Sequence, residues 1–383
     1  MEENFNNIED VELKNGEKKI DLNRKKFIFI IIIIISAIII FIFAFLLFLF
    51  IKDDEENNND PNICKEGKED NCLKCKKNKC ISCNPYYDLI DGKCKATFSF
   101  RATYETTKDN QTIDLIYNNF EKQIIKMIID ENEVNPSKNY TFKSPGNHTV
   151  YMLMNLTDLN GISYMFYKVE NLKTIYFSKE FNTSNLKYIS NMFLYCSNLT
   201  SVDISNFNTQ NVEYMNALFQ YCSSLTSIEL SNFNTTKVKY MYTMFSGCSS
   251  LKYVNLSSFN TKSVTHMSNL FQRCSSLTSI DICNFNTDNV ISMATLFEGC
   301  SSLTSLNLSN INTSKAQYLY YMFNNCKSLK YLDISNFSDN SSSSFFNFST
   351  SLPDYGKIKV NKHFFERIKE YIPESWEIIY SDN

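Results

Sequence analysis

Three hydrophobic patterns follow one another along the 383-residue chain. Residues 27–51 are apolar without a single charge, residues 96–156 alternate short apolar runs with turn-forming stretches, and residues 157–338 repeat one apolar pattern with a period of 26. The uncharged run predicts a transmembrane helix, because about 20 apolar residues span the hydrocarbon core of a bilayer. The alternation predicts strands, and the fixed period predicts a stack of similar units.

The periodic segment is marked by a cysteine that recurs at six positions without slippage: Cys196, Cys222, Cys248, Cys274, Cys300 and Cys326. After each cysteine the pattern L-x-x-[IVL]-x-[IL], as in residues 199–204, predicts a short strand. Apolar residues then follow at spacings of three and four, as at Val212, Met215 and Phe219, which are typical of the buried face of a helix. Each unit is therefore predicted to be strand, turn and helix, and the stack an α/β leucine-rich-repeat solenoid over residues 157–338.

The charges that flank the apolar run predict its orientation. Basic residues 24–26 precede it and acidic residues 53–56 follow it, so the positive-inside bias places a disordered tail, residues 1–26, in the cytosol. A signal peptide is disfavoured, because the run is long and no small-residue cleavage site follows it. The sequence thus predicts a single-pass type II plasma-membrane protein with an extracellular C-terminal ectodomain.

A cysteine-dense segment, residues 64–95, follows a linker at residues 52–63. Its six cysteines are predicted to form three disulfides whose pairing the spacing leaves open: Cys64, Cys72, Cys75, Cys80, Cys83 and Cys94. The spacing C-x2-C-x4-C-x2-C also allows a zinc site, but structural zinc sites usually separate their ligand pairs by a dozen or more residues. We therefore expect a disulfide-rich stalk, and no metal or other cofactor.

Two further segments flank the repeats. Residues 96–156 are predicted to form a small β-sandwich-like module of the immunoglobulin or a similar type. Residues 339–383 are predicted to form a loop and a C-terminal cap, with a strand, a helix that ends near Pro373 and an apolar segment around Trp376.

The repeats carry a family resemblance. The stretch LFQRCSSLTSIDICNFNTDNVISM, residues 270–293, resembles the BspA-like leucine-rich-repeat surface proteins of anaerobic bacteria and protists. The run NCLKCKKNKCISCNPYYDLIDGKC resembles the growth-factor-receptor-like and furin-like units of protist surface proteins. The first resemblance implies a cell-surface protein that acts in adhesion, with host matrix proteins, host cells or other microbes as partners. It implies no catalytic residues.

Three recurrent residue types have structural interpretations. The repeat cysteines are predicted to be free buried thiols rather than a disulfide ladder, because rows of packed helices lie about 8–10 Å apart, beyond disulfide reach. The methionine row that contains Met215 is predicted to be core. A structural ladder of side-chain amides is predicted one residue after each turn aromatic or Ile311, at Asn208, Asn234, Asn260, Asn286 and Asn312.

Outward strand positions are the candidate binding residues. Those predicted to contact a ligand on a concave face are Asp203, Glu229, Tyr253, Asp281, Tyr331 and Asp333. A solvated consensus face is the alternative. Possible N-glycosylation sites, identified by the pattern N-x-[ST], are Asn110, Asn139, Asn147, Asn155, Asn182, Asn198, Asn234, Asn255, Asn307, Asn312, Asn336, Asn340 and Asn347. Sugars at Asn255 and Asn307 would obstruct a flat protein ligand on the same face.

Composition narrows the function. A net charge of −3 gives no reason to expect nucleic acid as a partner, and the three histidines and the absence of phosphate-binding or nucleophile motifs disfavour an enzyme. The sequence predicts a non-enzymatic recognition or adhesion protein whose partner is an extracellular protein, a glycan or another cell-surface ligand. A surface coat or environmental sensor is the alternative, and an enzyme or inhibitor comes third.

Overall fold

A computed structural model describes residues 98–338, 344–345 and 347–381, together with the backbone of four short strands in the cysteine-rich segment. These strands form two two-stranded sheets, which pair β1 (Cys72–Lys76) with β2 (Lys79–Cys83) and β3 (Tyr87–Ile90) with β4 (Lys93–Ala96). Residues 1–63 and the side chains of the predicted stalk disulfides lie outside the described part of the chain.

The membrane prediction requires a correction. Within residues 98–381, apart from the short gaps, and in the four strands before them, no helix is long and apolar enough to cross a bilayer. The segment on which the prediction rested, residues 27–51, lies outside the described residues. The single-pass anchor and the plasma-membrane localisation are therefore not supported and are not carried further.

The segment before the repeats forms strands that join the repeats in one sheet. The elements in chain order are β5 (Phe100–Thr106), β6 (Gln111–Asp114), a 3-10 helix (Asn118–Gln123), β7 (Ile124–Ile129), β8 (Asn132–Val134), β9 (Asn139–Phe142), β10 (Gly146–Met154), β11 (Leu172–Phe177) and β12 (Ser201–Asp203). Six of the strands form a sheet in the order β12-β11-β5-β10-β7-β8, and β6 pairs antiparallel with β9 in a separate two-stranded sheet.

The predicted immunoglobulin-like sandwich is wrong. Strand β5 pairs antiparallel with β10 on one side and with β11 on the other, and β11 pairs parallel with β12. Alternate residues of β5, including Phe100, Ala102 and Tyr104, are buried. The six-stranded sheet therefore continues from this segment into the first repeats, whereas the two-stranded sheet of β6 and β9 lies within the segment.

Each 26-residue copy forms one coil of a β-solenoid. The later strands are β13 (Ser227–Glu229), β14 (Tyr253–Asn255), β15 (Ser305–Asn307) and β16 (Tyr331–Ile334). Strand β13 pairs parallel with β14, and β15 with β16. A second line of isolated parallel bridges connects Gly161, Tyr188, Tyr214, Tyr240, His266, Ser292, Tyr318 and Ser344.

The predicted helix in each unit is wrong, and with it the α/β leucine-rich-repeat fold. Residues 212–221 contain a β-bridge at Tyr214 and turns over residues 216–221. The backbone N–H groups of Met215, Ala217 and Phe219 donate to carbonyls of the next coil at 3.1, 3.0 and 2.9 Å. An α-helix would direct these groups to its own carbonyls four residues earlier. The N–H groups instead link the coils, as they do in a parallel sheet.

Positive backbone φ angles make these turns possible. Two residues four apart in each coil, such as Ala217 at 55° and Tyr221 at 60°, have φ in the left-handed region. In the other coils the same two positions often carry residue types that tolerate it: Asn191, Gly247, Asn269, Gly299 and Asn325. Buried apolar residues at spacings of three and four are therefore compatible with this turn series as well as with one face of a helix.

Stacked aromatic rings form the centre of the solenoid. Seven buried phenylalanines stack with centroids 5.4 to 6.1 Å apart and planes within 10° of parallel: Phe166, Phe193, Phe219, Phe245, Phe271, Phe297 and Phe323. This spacing is near the roughly 4.8 Å between paired strands and well below the 8–10 Å of packed helices. The coil spacing is therefore that of a sheet.

The C-terminal segment continues the stack after the last repeat. It contains β17 (Lys357–Val360), helix α1 (Lys362–Ile368), a 3-10 turn (Lys369–Tyr371) and β18 (Glu377–Tyr380). Strands β16, β17 and β18 pair in parallel. The side chain of Asn361 caps α1 by accepting the N–H groups of His363 and Phe364, and α1 buries Phe364 and Ile368. The buried face of α1 covers apolar residues at the end of the stack.

Candidate interaction face

Outward side chains of the short strands form two neighbouring rows, which we call the strand face. In β13, Ser227 and Glu229 are exposed while Ile228 between them is buried. Parallel pairing without a register shift places Ser227 beside Tyr253 of β14. The residues predicted to contact a ligand all belong to these rows: Asp203, Glu229, Tyr253, Asp281, Tyr331 and Asp333.

The carboxylates of the strand face also stabilise the turns that follow it. One oxygen of Asp203, Glu229 and Asp281 accepts the backbone N–H two residues later, at 3.0, 2.8 and 3.0 Å. These hydrogen bonds favour the charged form and hold the pKa of Glu229 and of Asp281 below its ordinary value. The face therefore stays negatively charged at neutral pH, and part of each carboxylate is engaged in local structure.

Asp333 does not belong to the exposed part of this row. Its side chain is nearly buried, with the residue 5% exposed, and its Oδ2 lies 3.7 Å from Nζ of Lys359 on β17. The C-terminal strand covers it, which the strand pattern alone did not indicate. Tyr331 on the same strand remains exposed.

A cleft opens on the strand face beside Tyr253, whose ring is the most exposed aromatic among the repeats at 58%. The cleft has a volume of about 340 Å³. Its lining includes Tyr253, Asn255, Ser279, Asp281 and Asn284. An aromatic ring, a carboxylate, amides and a hydroxyl thus converge on one depression.

The cleft lies where strand pairing is interrupted. Thr226 and Thr304 each accept a backbone hydrogen bond from the next coil, donated by Lys252 and Lys330 at 2.9 and 2.8 Å. Residues 279–281, although fully described, form no strand and make no such bond to the coil on either side. The line of turn hydrogen bonds elsewhere in the same coils is continuous, as at Asn269 and Phe271. The strand face is therefore open locally on a coil that is otherwise firmly held.

A threonine ladder links the coils and was missed by the sequence analysis. Each buried hydroxyl accepts the N–H and donates to the carbonyl of one residue in the next coil, which is an asparagine except for Ser338, the partner of Thr313. For Thr235 and Asn260 the distances are 2.7 and 3.0 Å. Its members are Thr183, Thr209, Thr235, Thr261, Thr287 and Thr313. The signal was present in the sequence, because each of these threonines directly follows an asparagine.

The asparagine ladder exists, but two residues earlier than predicted. The oxygen of each predicted residue, as at Asn208 and Asn234, accepts an N–H within its own turn. Amides that donate to backbone carbonyls of the preceding coil belong to Asn206, Asn232, Asn284 and Asn310. Both positions carry asparagine in nearly every copy, so the sequence did not distinguish them.

The repeat cysteines are free thiols, as predicted, although the predicted reason was wrong. All six are buried, and each thiol donates to the carbonyl of a buried phenylalanine in the preceding coil, as Cys248 does to Phe219 at 3.0 Å. Burial raises the pKa of Cys248 and of Cys326 to about 12. Cys283 is free and exposed. The side chains that the structure describes form no disulfide.

Most sequon asparagines are at the surface. Those exposed are Asn110, Asn147, Asn155, Asn182, Asn198, Asn234, Asn307 and Asn336, while Asn139, Asn255, Asn312 and Asn347 are half-buried. Asn340 lies outside the described residues. Within the described side chains, no group of three or more His, Cys, Asp or Glu residues is placed to hold a metal ion.

These features define the chain as a repeat protein built on a β-solenoid. It belongs to the family described as Mycoplasma protein of unknown function, DUF285, which matches residues 157–253 and 247–354, together just over half of the chain. This match does not confirm membership of the BspA-like leucine-rich-repeat family. A comparison with curated proteins gave no match.

Proposed function

We propose that this protein is a non-enzymatic recognition protein that binds its partner through the strand face. The observation that carries the proposal is the exposure of large aromatic side chains on regular strands, Tyr253 at 58% and Tyr331 at 36%. The equivalent position carries serine in several other copies, for example Ser201 and Ser227, so the coil does not require a tyrosine there. Exposed tyrosines on a rigid scaffold are typical of binding surfaces.

The resemblance to BspA-like surface proteins supports adhesion as the purpose of this recognition. The partner would be an extracellular protein, a glycan or another cell-surface ligand. Rows of ionised carboxylates beside hydroxyl groups favour partners with basic or hydroxyl groups. A surface coat or environmental sensor without adhesive function is the second candidate, because the same rows also make a well-solvated repetitive surface.

Binding of the full-length protein to immobilised matrix proteins, bacteria and host cells tests the proposal. Replacing Tyr253 and Tyr331 together by serine should reduce binding by about fivefold or more, because buried tyrosines commonly dominate interfaces. Tyr242→Ser is the matched control, since Tyr242 is exposed on a different part of the coil and Ser268 occupies the equivalent position. Equal binding by both variants and the unmodified protein would favour the coat.

A further inference from the structure

We propose that the cleft beside Tyr253 binds a neutral saccharide, an inference that rests on the proposed recognition function and specifies its ligand class. The cleft is bounded by β14 and by residues 279–284 of the next coil. Its volume of about 340 Å³ is that of a small-molecule pocket. Its polar side chains include the carboxylate of Asp281 and the hydroxyl groups of Ser257 and Ser279, which can accept from and donate to sugar hydroxyls.

Tyr253 supplies the platform. The residue is 58% exposed and lines the cleft, in a row where Ser201, Ser227, Ser279 and Ser305 are the usual occupants. A sugar ring presents C–H groups on one face and hydroxyl groups around its edge. Packing the C–H face on an aromatic ring leaves the hydroxyl edge free to reach neighbouring polar groups.

The coil that forms the opposite wall supplies hydrogen-bonding groups. Asp281 uses one oxygen for the N–H of Cys283 at 3.0 Å, and a carboxylate has about four acceptor sites, so it retains capacity for a sugar hydroxyl. The backbone of residues 279–281 makes no bond to the coils on either side, so its polar groups are available as well. In the paired coils the equivalent backbone groups form hydrogen bonds between strands, whereas in residues 279–281 they remain available to a ligand.

The charges at the cleft oppose an acidic sugar. Asp281 lines the cleft, and Glu229 lies next to it, because Nδ2 of Asn255 donates to Oε1 of Glu229 at 3.2 Å. Both carboxylates are held in the charged form by hydrogen bonds from backbone N–H groups. These carboxylates would repel a sugar acid, whereas the hydroxyl groups of a neutral sugar can donate hydrogen bonds to the carboxylate oxygens.

Calorimetric titration of the full-length protein with neutral tetrasaccharides of glucose, mannose and galactose tests the proposal. The protein should be made in a host without N-glycosylation, because a sugar attached at Asn255 would fill the cleft. At least one tetrasaccharide should bind, and Tyr253→Ser should weaken its binding about tenfold or more. The matched control is Tyr242→Ser, which should leave affinity within about twofold because Tyr242 is exposed outside both the cleft and the strand face. An unchanged thermal transition for both variants verifies folding, since serine is native at equivalent positions.

Three results would overturn the proposal. They are a complete lack of binding at millimolar sugar, equal losses in the two variants, or Tyr253-dependent binding of a hexa-arginine peptide in place of every sugar. Capture of cells or matrix proteins that depends on the strand face, without any sugar binding, would refute the saccharide site and leave the recognition function standing. Sugar binding without capture of cells or matrix proteins would support the saccharide site and refute the recognition function.

Discussion

The cysteines of the repeats differ in solvent exposure, and their reactivity should differ accordingly. Six thiols are buried against phenylalanine carbonyls, whereas Cys283 is exposed after Asp281. Alkylation of the folded protein should therefore label Cys283 within minutes and spare the repeat cysteines until denaturant is added. Mass spectrometry of tryptic peptides measures this with Cys283 as an internal control. Rapid native labelling of Cys248 would contradict the buried placement.

The buried thiols also predict a pH dependence of stability. The pKa of Cys248 and of Cys326 rises from an ordinary value of 9.0 to about 12 in the folded protein. Between these pH values the unfolded chain releases thiol protons that the folded chain retains, so the free energy of unfolding falls as pH rises. The full contribution is present below about pH 9.

Urea titrations from pH 8 to pH 11 measure this effect. The double variant Cys248→Ala, Cys326→Ala should be less stable than the parent at pH 8 but should lose stability less steeply above pH 9. The comparison isolates the thiols, because tyrosines and lysines titrate in both proteins. Parallel slopes for the two proteins would show that these thiols do not control the alkaline loss.

The threonine ladder predicts a contrast between two substitutions of similar size. Thr235→Val removes the hydroxyl and leaves both backbone groups of Asn260 without their partner, which should cost about 1–3 kcal/mol. Thr235→Ser keeps the hydroxyl and should cost about 1 kcal/mol for the lost methyl group. Chemical denaturation of the two variants gives the comparison. A smaller loss for valine than for serine would mean that packing, not hydrogen bonding, is the role of Thr235.

At the scale of the element, the turn series has positions where the residue does not suit the backbone. Thr243 has φ of 57°, which is unfavourable for a β-branched residue, whereas other copies carry Asn191 and Asn269 there. Thr243→Asn should therefore raise the free energy of unfolding by about 0.5–1 kcal/mol. The unfolding temperature of the variant measures the gain.

Gly247, four residues later, is the opposing control. Its φ is 77°, and a Cβ atom there would meet the ring of Tyr221. Gly247→Ala should lower stability, since both strain and the close ring oppose the methyl group. Destabilisation by Thr243→Asn would refute the assignment of residues 241–247 to a turn series.

At the scale of the whole molecule, stability should spread along the stack. Phe271 is fully buried between Phe245 and Phe297, 5.7 Å from each, and so contacts the coils on both sides. Phe271→Ala should cost about 3–5 kcal/mol and lower or broaden the unfolding transition, because each coil depends on its neighbours.

His266 provides the comparison for Phe271. It is half-buried, and its ring lies 5.4 Å from that of Tyr240 with the planes tilted. His266→Ala should change the free energy of unfolding by only about 0.5 kcal/mol, as surface substitutions usually do. Denaturant titration of both variants in the full-length chain is the measurement. Equal effects would show that the inward and outward rows are wrongly assigned.

The sequence by itself determined the period and the buried rows of the repeats. Leu199, Met215 and Phe219 are buried as predicted, because a residue that recurs in phase with a stack occupies the same place in every coil. The strand positions were also predictable from the sequence, because buried and exposed residues alternate there, as Ile228 does with its two exposed neighbours.

Only the tertiary structure decided between helix and turn in the second half of each coil. Val212, Met215 and Phe219 satisfy both spacings, and the choice depends on whether backbone N–H groups bond along the chain or to the next coil. The carbonyl that accepts each bond lies 25 residues away in the next coil, so local periodicity cannot predict it. The cleft beside Tyr253 has the same origin, because residues 279–281 resemble their paired counterparts in sequence and differ only in how neighbouring coils meet.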